Sequence, residues 1–434
     1  MGKILWLAAF LVIVLPTEGL PEPGAVDLYN QGVEALEHNQ LDQAIDLFTR
    51  AIELDPLDHL SLNNRGVAFK RKGMYDKAIA DYNRSLEIKP GYTYALANRG
   101  IARYRKGDLD GALQDLTLAA KRRRHDSVIM TNLGAVYREK GDLEAAIKVL
   151  RKSVSLNKKN ARAYQELGKS YEDRKDYQKA LDAYTQALDL NKGAGDVQKL
   201  ERKIETLGKL RAEELHREGL AKYREGHEKA ALELWTKALK FDPRLLQALR
   251  DRGLTYHKAG KYVKAVADFT AALELNPKDA EIYRVRADTF YKMGQPESAL
   301  VDYNKALELN PKDAVGYSNR GLVYHEKNEL DKALEDYTRA IELDPNNPTF
   351  FENRALIYLA RGRNKQALED YRHALRDATD EERRSRIRER ISAIEETSAG
   401  PRKDSSPPAP PLRNTQLSGG GDDQAASAVQ RSDY

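Results

Sequence analysis

The 434-residue sequence predicts an all-α protein, a superhelical solenoid of ten tandem helical hairpins, on three observations. A 34-residue period runs through most of the chain, and one place in that period is alanine in every copy. Each copy also carries two amphipathic stretches of about fourteen residues separated by a turn signal. Composition agrees, with 32% charged and 41% apolar residues and both charge signs interspersed among helix-forming Ala, Leu, Glu, Lys and Arg.

At the start of the chain, Lys3 precedes an unbroken apolar run from Ile4 to Leu15, and Pro16 ends any helix there. Those twelve residues would span only about 18 Å as a helix, short of a roughly 30 Å hydrocarbon core. Residues 1–20 therefore read as an export signal with cleavage near Gly19. The mature chain is expected to be secreted or periplasmic, in contact with the envelope, and without an integral membrane span.

A first block of five repeats fills 25–194, with starts at Ala25, His59, Thr93, Ser127 and Ala161. A second block fills 212–381, with starts at Ala212, Leu246, Ala280, Ala314 and Pro348. The eighth place is Gly in eight copies and Ala287 or Ala355 in the other two, so another part of the chain must approach closely there. The twentieth place, from Ala44 to Ala367, is the invariant alanine. Large side chains such as Phe48, Tyr82, Trp235 and Tyr337 occupy the twenty-fourth place and are expected to fill the space opposite the small ones. Six copies place Pro at position thirty-two, where it stops the second helix.

The register slips by seventeen residues at 195–211, half a repeat, which predicts one connecting helix along Val197, Leu200, Ile204, Leu207 and Leu210. This joint is expected to separate the two blocks. After the tenth repeat, 382–396 reads as a charged cap helix with Ile387, Ile391 and Ile394 on one side. From 397 to 434 the chain is rich in Pro, Ser, Gly and Ala without apolar periodicity and is expected to be a disordered tail, with Pro407 to Pro411 as a spacer.

Ten copies within one chain permit an internal comparison. The seventh place is Arg in six of them: Arg65, Arg99, Arg252, Arg286, Arg320 and Arg354. In those same six the twenty-third place is Asp: Asp81, Asp115, Asp268, Asp302, Asp336 and Asp370. Chance would produce that agreement about once in two hundred shufflings, so spatial contact is predicted, as ion pairs that set hairpin geometry.

Chemistry-bearing motifs are missing from the sequence. With no cysteine, disulfides and thiol chemistry are excluded, and there is no P-loop or H-E-x-x-H motif. His227 with Glu228 and His325 with Glu326 lack the second histidine of a metal site. No enzyme activity, cofactor or metal is expected. Lys and Arg exceed Asp and Glu by only five, which argues against nucleic acid as a partner. The run Lys121 to Arg124 closes a helix and complements its dipole. Asn83-Arg84-Ser85 is a formal glycosylation acceptor inside a predicted helix.

Through its G-x-x-Y, A-x-x-x-Y/F-x-x-A and terminal Pro pattern, the sequence resembles the tetratricopeptide repeat (TPR) family from residue 25 to about 381. The resemblance implies a right-handed superhelix that binds a protein or an extended peptide along a concave groove lined by the first helix of each hairpin. Carried over, the groove holds Lys70, Arg71, Tyr94, Tyr104, Arg105 and Arg138 in the first block. In the second block it holds Tyr223, Arg224, Arg250, His257, Arg284 and Tyr291. The sixth place adds Asn64, Asn98, Asn132, Asn319 and Asn353, a position from which relatives bond peptide backbone. Cations with interleaved tyrosines suit a peptide that carries carboxylates. The expected function is an exported, non-enzymatic scaffold. The alternatives are a structural component of an envelope or secretion assembly, held by its convex face and ends, and a co-chaperone-like adaptor.

Overall fold

The structure, a computed structural model, describes residues 24–191 and 197–398. The export segment at 1–20 and the tail beyond Ser398 lie outside the described residues. Among the described residues there are 21 helices and no strand. In nine repeats the first helix begins at place one, as in Ala25–Glu37 and His59–Arg71. In all ten the second begins at place seventeen, as in Leu41–Leu54 and Tyr75–Ile88.

Local chemistry explains why each helix starts and stops. Asp58, in the last place of repeat one, accepts the Leu60 and Ser61 N–H groups at 2.9 and 3.2 Å. Asp126, Asn160, Asp279, Asp313 and Asn347 cap later first helices in the same way. At place fifteen, between the two helices of a hairpin, φ is positive in all ten repeats. The next residue's N–H then reaches back across the turn, Met74 to the Phe69 carbonyl at 2.9 Å and Asp142 to Tyr137 at 3.0 Å.

Seven of those ten residues are Gly; the others are Asn39, Asn328 and Lys175, the last at φ 61°. Lysine has neither glycine's freedom nor the local hydrogen bonding that lets asparagine enter this region. Lys175→Gly is therefore expected to stabilise the protein by about 1 kcal/mol. Thermal denaturation reads this directly, and a lowered midpoint would contradict it.

The alanines at place twenty are fully buried in all ten repeats. Opposite them the large residue of place twenty-four lies against the glycine of place eight. A Cβ added to Gly66 would stand 2.7 Å from the Tyr82 ring, and one on Gly219 would stand 2.4 Å from Trp235 Nε1. At these glycines the hairpin is thus closed by a small-to-large fit that leaves no room for an extra atom.

Five Arg–Asp pairs across the hairpins are bidentate: Arg65–Asp81, Arg99–Asp115, Arg286–Asp302, Arg320–Asp336 and Arg354–Asp370, all at 2.6–2.9 Å. The same guanidiniums use Nη1 on the preceding repeat. Thr49, Asn83, Thr270, Asn304 and Thr338, each at place twenty-five, accept it at 2.7–3.3 Å. Arg252 donates to Thr236 in this way at 3.1 Å, and Asp268 is buried in its own helix. The arginine therefore joins two hairpins as well as two helices, a role that the place seven and twenty-three comparison alone did not suggest. Asn83, held by Arg99 next to a fully buried Ser85, sits inside this framework and is no open glycosylation acceptor.

The chain forms two compact units, one ending at Thr255 and the other beginning at Tyr256. In unit one the half-repeat insertion is continuous with the first helix of repeat six, giving a 28-residue helix, Val197–Arg224. Leu200 and Leu207 pack with Leu181, Tyr184 and Phe241, while Ala212 and Leu215 pack with Ala238 and Leu234. Burial on both sides of position 211 makes one rod of the two segments, and the units part elsewhere, inside helix Leu246–Lys258. Leu210, assigned above to the apolar stripe, is exposed.

In unit two the cap helix is Glu381–Ser398. Ile387 and Ile394 are buried against Tyr371, Ala374 and Phe351. Thr397 and Ser398, given to the tail on composition, belong to this helix. The Thr397 hydroxyl donates to the Ala393 carbonyl at 3.0 Å and completes a last turn that composition does not register.

Within each unit the first helices of successive repeats touch one another, over repeats one to five and eight to ten. No comparable contact joins successive second helices among the described residues. Closer spacing on one side of a stack bends it toward that side, so the first helices form the inner face of each unit.

Candidate functional site

The inner face of unit one is built on neutral amides and cations. Asn64 donates to the Tyr29 hydroxyl at 3.3 Å and accepts from Asn63 at 3.0 Å. Asn98 donates to Asn63 at 3.2 Å and accepts from Lys70 Nζ at 2.8 Å. Buried Asn132 bonds the Val128 carbonyl of its own helix and accepts from Arg162 at 2.9 Å. These side chains tie neighbouring first helices together, and their amides are largely spent on that.

Arg71 donates to the Leu36 carbonyl at 2.7 Å. Tyr104 is half-buried beneath Arg105, whose guanidinium lies 5.9 Å from the ring. Tyr94 is exposed, and Arg123 covers its ring at 4.4 Å. Arg123 and Arg122 thus take specific partners, the latter the Pro90 carbonyl at 3.1 Å, where a helix-dipole role alone was expected. Arg138 is the centre of an acidic cluster, at 2.5 Å from Glu139, 3.6 Å from Glu166 and 3.2 Å from Asp173. Further along, Tyr223 packs at 5.9 Å from Trp235, Arg224 is exposed at the end of its helix, and Arg250 is half-buried.

In unit two the corresponding residues are held by acids. Arg284 lies 3.3 Å from both Asp288 and Asp313. Asp288 also accepts from Asn319 at 2.9 Å and from the buried Tyr303 hydroxyl. Burial first, and the Asp288 carboxylate second, push the Tyr303 hydroxyl far above the usual tyrosine range. Tyr291 donates to Glu326, Asn353 to Ser318 at 3.4 Å, and His257 shares a hydrogen bond with Thr289 at 2.8 Å. His325 is half-buried, and its burial lowers its pKa. Among the described residues no group of three or more acidic or histidine side chains could hold a metal, and no helix is long and apolar enough to cross a membrane.

Comparison with known families agrees with this architecture. A TPR repeat profile matches residues 253–294, 287–328 and 321–360, and tetratricopeptide repeat profiles match 126–192 and 29–93, together more than half of the chain. The chain belongs to the tetratricopeptide repeat family. No curated protein sequence matches it. Solved structures similar to it include yeast Tom70, at 14% identity, covering 86% of this chain and 96% of that one, with a TM-score of 0.38. A thermophilic TPR protein of Thermus thermophilus is 28% identical over 42% of this chain and 98% of its own, with a TM-score of 0.34. MamA is 26% identical over 38% of this chain and 91% of its own, with a TM-score of 0.37.

The TPR stack carries one further regular feature, at its turn edge. The cation at place fourteen pairs with the acid at place eighteen of the preceding repeat: Lys72–Asp42, Lys106–Asp76, Lys140–Asp110, Arg174–Glu144, Lys327–Glu297 and Arg361–Asp331. A thirty-residue spacing between opposite charges was its signal in the sequence. The acids are exposed, so each pair contributes less than about 1 kcal/mol and serves to align neighbouring TPR hairpins.

Lys70 stands apart electrostatically. Burial, then Arg71 and Arg162, lower its pKa from 10.5 to about 8. The unfolded chain therefore binds this proton more tightly than the folded one, and the stability of the native protein rises with pH between those two values. Lys70→Met is expected to raise the melting temperature at pH 7, with the gain shrinking toward zero as pH approaches 10.5. A destabilised variant at pH 7 would contradict the sign.

Proposed function

We propose that the protein is an exported scaffold without catalytic activity that holds a segment of another protein along the inner face of its first helices. The observation that supports this most is the direct contact between successive first helices within each unit. On this reading their places two, five, nine, twelve and thirteen make up the binding surface. Binding over such a surface is a sum of modest contacts with many side chains, which suits an extended partner better than a small molecule. The export part rests on the leader-like composition of residues 1–20.

Photo-crosslinking in the native compartment tests the binding surface. A benzoylphenylalanine at Tyr104 or Tyr291 is expected to capture partner, while one at exposed Val263 or Val301 on second helices is not. Capture from the second helices alone would replace this reading with that of an assembly component docked by its outer face. Sequencing the mature N-terminus tests export, and a cytosolic protein that retains Met1 would remove it.

A further inference from the structure

On the second helices, places eighteen, twenty-two and twenty-six follow one another a turn apart along one face. Nine repeats put at least one charge there, as in Asp42, Asp46 and Arg50 of repeat one or Asp331, Glu335 and Arg339 of repeat nine. Repeat seven puts none: its residues are Val263, Ala267 and Ala271, on the helix Tyr262–Leu275 of unit two. Val263 keeps 74% of its exposure, Ala267 is exposed and Ala271 is half-buried. Val301, at place twenty-two of repeat eight, keeps 68% and extends the apolar surface toward the next second helix, Pro296–Leu309. The charged column along the turn edge lapses here as well, since Val263 stands in the place of its acid and Met293 in the place of its cation. Apolar side chains gathered on a face that is charged in every other repeat, and filling no core, mark a contact surface.

The charges around the patch select its occupant. Lys264 stands three residues before Ala267, and Glu274 three residues after Ala271. The four therefore share one stripe of the helix, with the alanines in the middle and opposite charges equally far on either side. Both charged side chains are exposed, and among the described residues neither has an ion-pair partner; Lys264 Nζ lies 5.5 Å from the Tyr256 ring.

A stripe with that symmetry is its own complement. Laid antiparallel across a second copy of the helix, about a two-fold axis between the alanines, it sets Ala267 against Ala271 and Lys264 against Glu274 at both ends. Val263, four residues before Ala267, then meets Leu275, four residues after Ala271. The alanines let the two axes approach to about 8 Å, the near limit for packed helices. A parallel pairing would instead set Lys264 against Lys264 and Glu274 against Glu274.

We infer that repeat seven carries a self-association surface, through which two copies of this chain pair antiparallel across the helix Tyr262–Leu275. The pairing makes no demand on the first helices, so it stands or falls separately from the groove.

Analytical ultracentrifugation of the full chain tests it. One helix from each copy is a small interface, so a dissociation constant on the order of 10 μM is expected, rising with salt because the charge pairs lie at the rim. Ala267→Glu, an exposed change to a good helix former, should fold like the native chain by circular dichroism and associate at least about tenfold more weakly. Lys264→Glu and Glu274→Lys each bring two like-charge pairs into the interface and should lose a similar factor. Mixed in equal amounts, these two single variants should pair again, because each supplies the charge that the other lacks, and the variant carrying both changes should pair with itself. A benzoylphenylalanine at Val263 should give a product of twice the chain's mass, with this chain on both sides of the link.

A chain that stays monomeric well above that concentration, an Ala267→Glu variant that associates like the native chain, or single variants that fail to pair on mixing would each overturn the surface. A Val263 crosslink to a different protein would overturn the second copy as its occupant. Crosslinks from Tyr104 and Tyr291 judge the groove by themselves, and their failure would leave the self-association result in place.

Discussion

Replacing Asp336 by leucine is expected to destabilise unit two by about 3–5 kcal/mol, because it strands a guanidinium that the hairpin holds largely out of water. Arg320 places Nε and Nη2 on the two Asp336 oxygens at 2.8 and 2.6 Å, and the aspartate side chain retains only 5% of its exposure. Burial nevertheless pushes the Asp336 carboxyl upward against the pull of Arg320. The intact pair therefore adds little net stability, and most of the loss in the single variant comes from the orphaned partner. Two outcomes follow from that asymmetry. Arg320→Leu together with Asp336→Leu should recover most of the loss, and exchanging the two residues should recover a substantial part. In the exchanged protein Asn304, which accepts Arg320 Nη1 at 2.7 Å, can turn its amide to donate to the new carboxylate. Chemical denaturation of the four proteins measures the coupling, and strictly additive losses would refute the contact as the cause.

The second large effect concerns the fit at place eight. Gly219→Ala should cost about 1–3 kcal/mol, because its new Cβ would meet a ring that cannot yield. Trp235 is 1% exposed, and its Nε1–H is fixed to the His216 carbonyl at 3.2 Å. At Gly134 the new Cβ would stand 2.4 Å from the Cγ of the fully buried Leu150, so Gly134→Ala should cost a comparable amount. The protein itself supplies the remedy: native Ala287 and Ala355 belong to repeats that carry Tyr303 and Tyr371 at place twenty-four, all fully or nearly fully buried. Gly219→Ala combined with Trp235→Tyr should therefore regain most of the stability that either change loses alone. Thermal melts decide it, and a double variant no better than the worse single one would show that the ring is not the obstacle.

Much of this was legible in the residues because a solenoid repeats its chemistry. Alanine at place twenty, glycine at place eight and Arg with Asp at places seven and twenty-three recur ten, eight and six times, so a packing rule visible once is visible throughout. The groove residues were less legible. Asn64, Asn98, Asn319 and Asn353 looked open to a ligand, and they are tied instead to adjacent first helices. Arg284 looked like a groove cation, and two carboxylates hold it, one from the following repeat boundary. Asn64, Asn98 and Asn353 share one 35-residue offset to place five of the preceding repeat, where Tyr, Asn and Ser differ too much in type to stand out as partners, whereas Asn319 and Arg284 take acids at offsets of their own.

By itself the sequence determined the period, the hairpin, the helix limits set by the Asp or Asn caps and the place-fifteen turns, and the family. These are local or strictly periodic properties, fixed by backbone sterics and by side chains a constant distance apart. Tertiary structure alone decided that the insertion at 195–211 runs on into repeat six, and which cations on the inner face keep a carboxylate and which do not. Both depend on residues far apart in the chain meeting in space: burial on either side of position 211 in the first case, and in the second contacts such as that of Arg284 with Asp313 at the next repeat boundary.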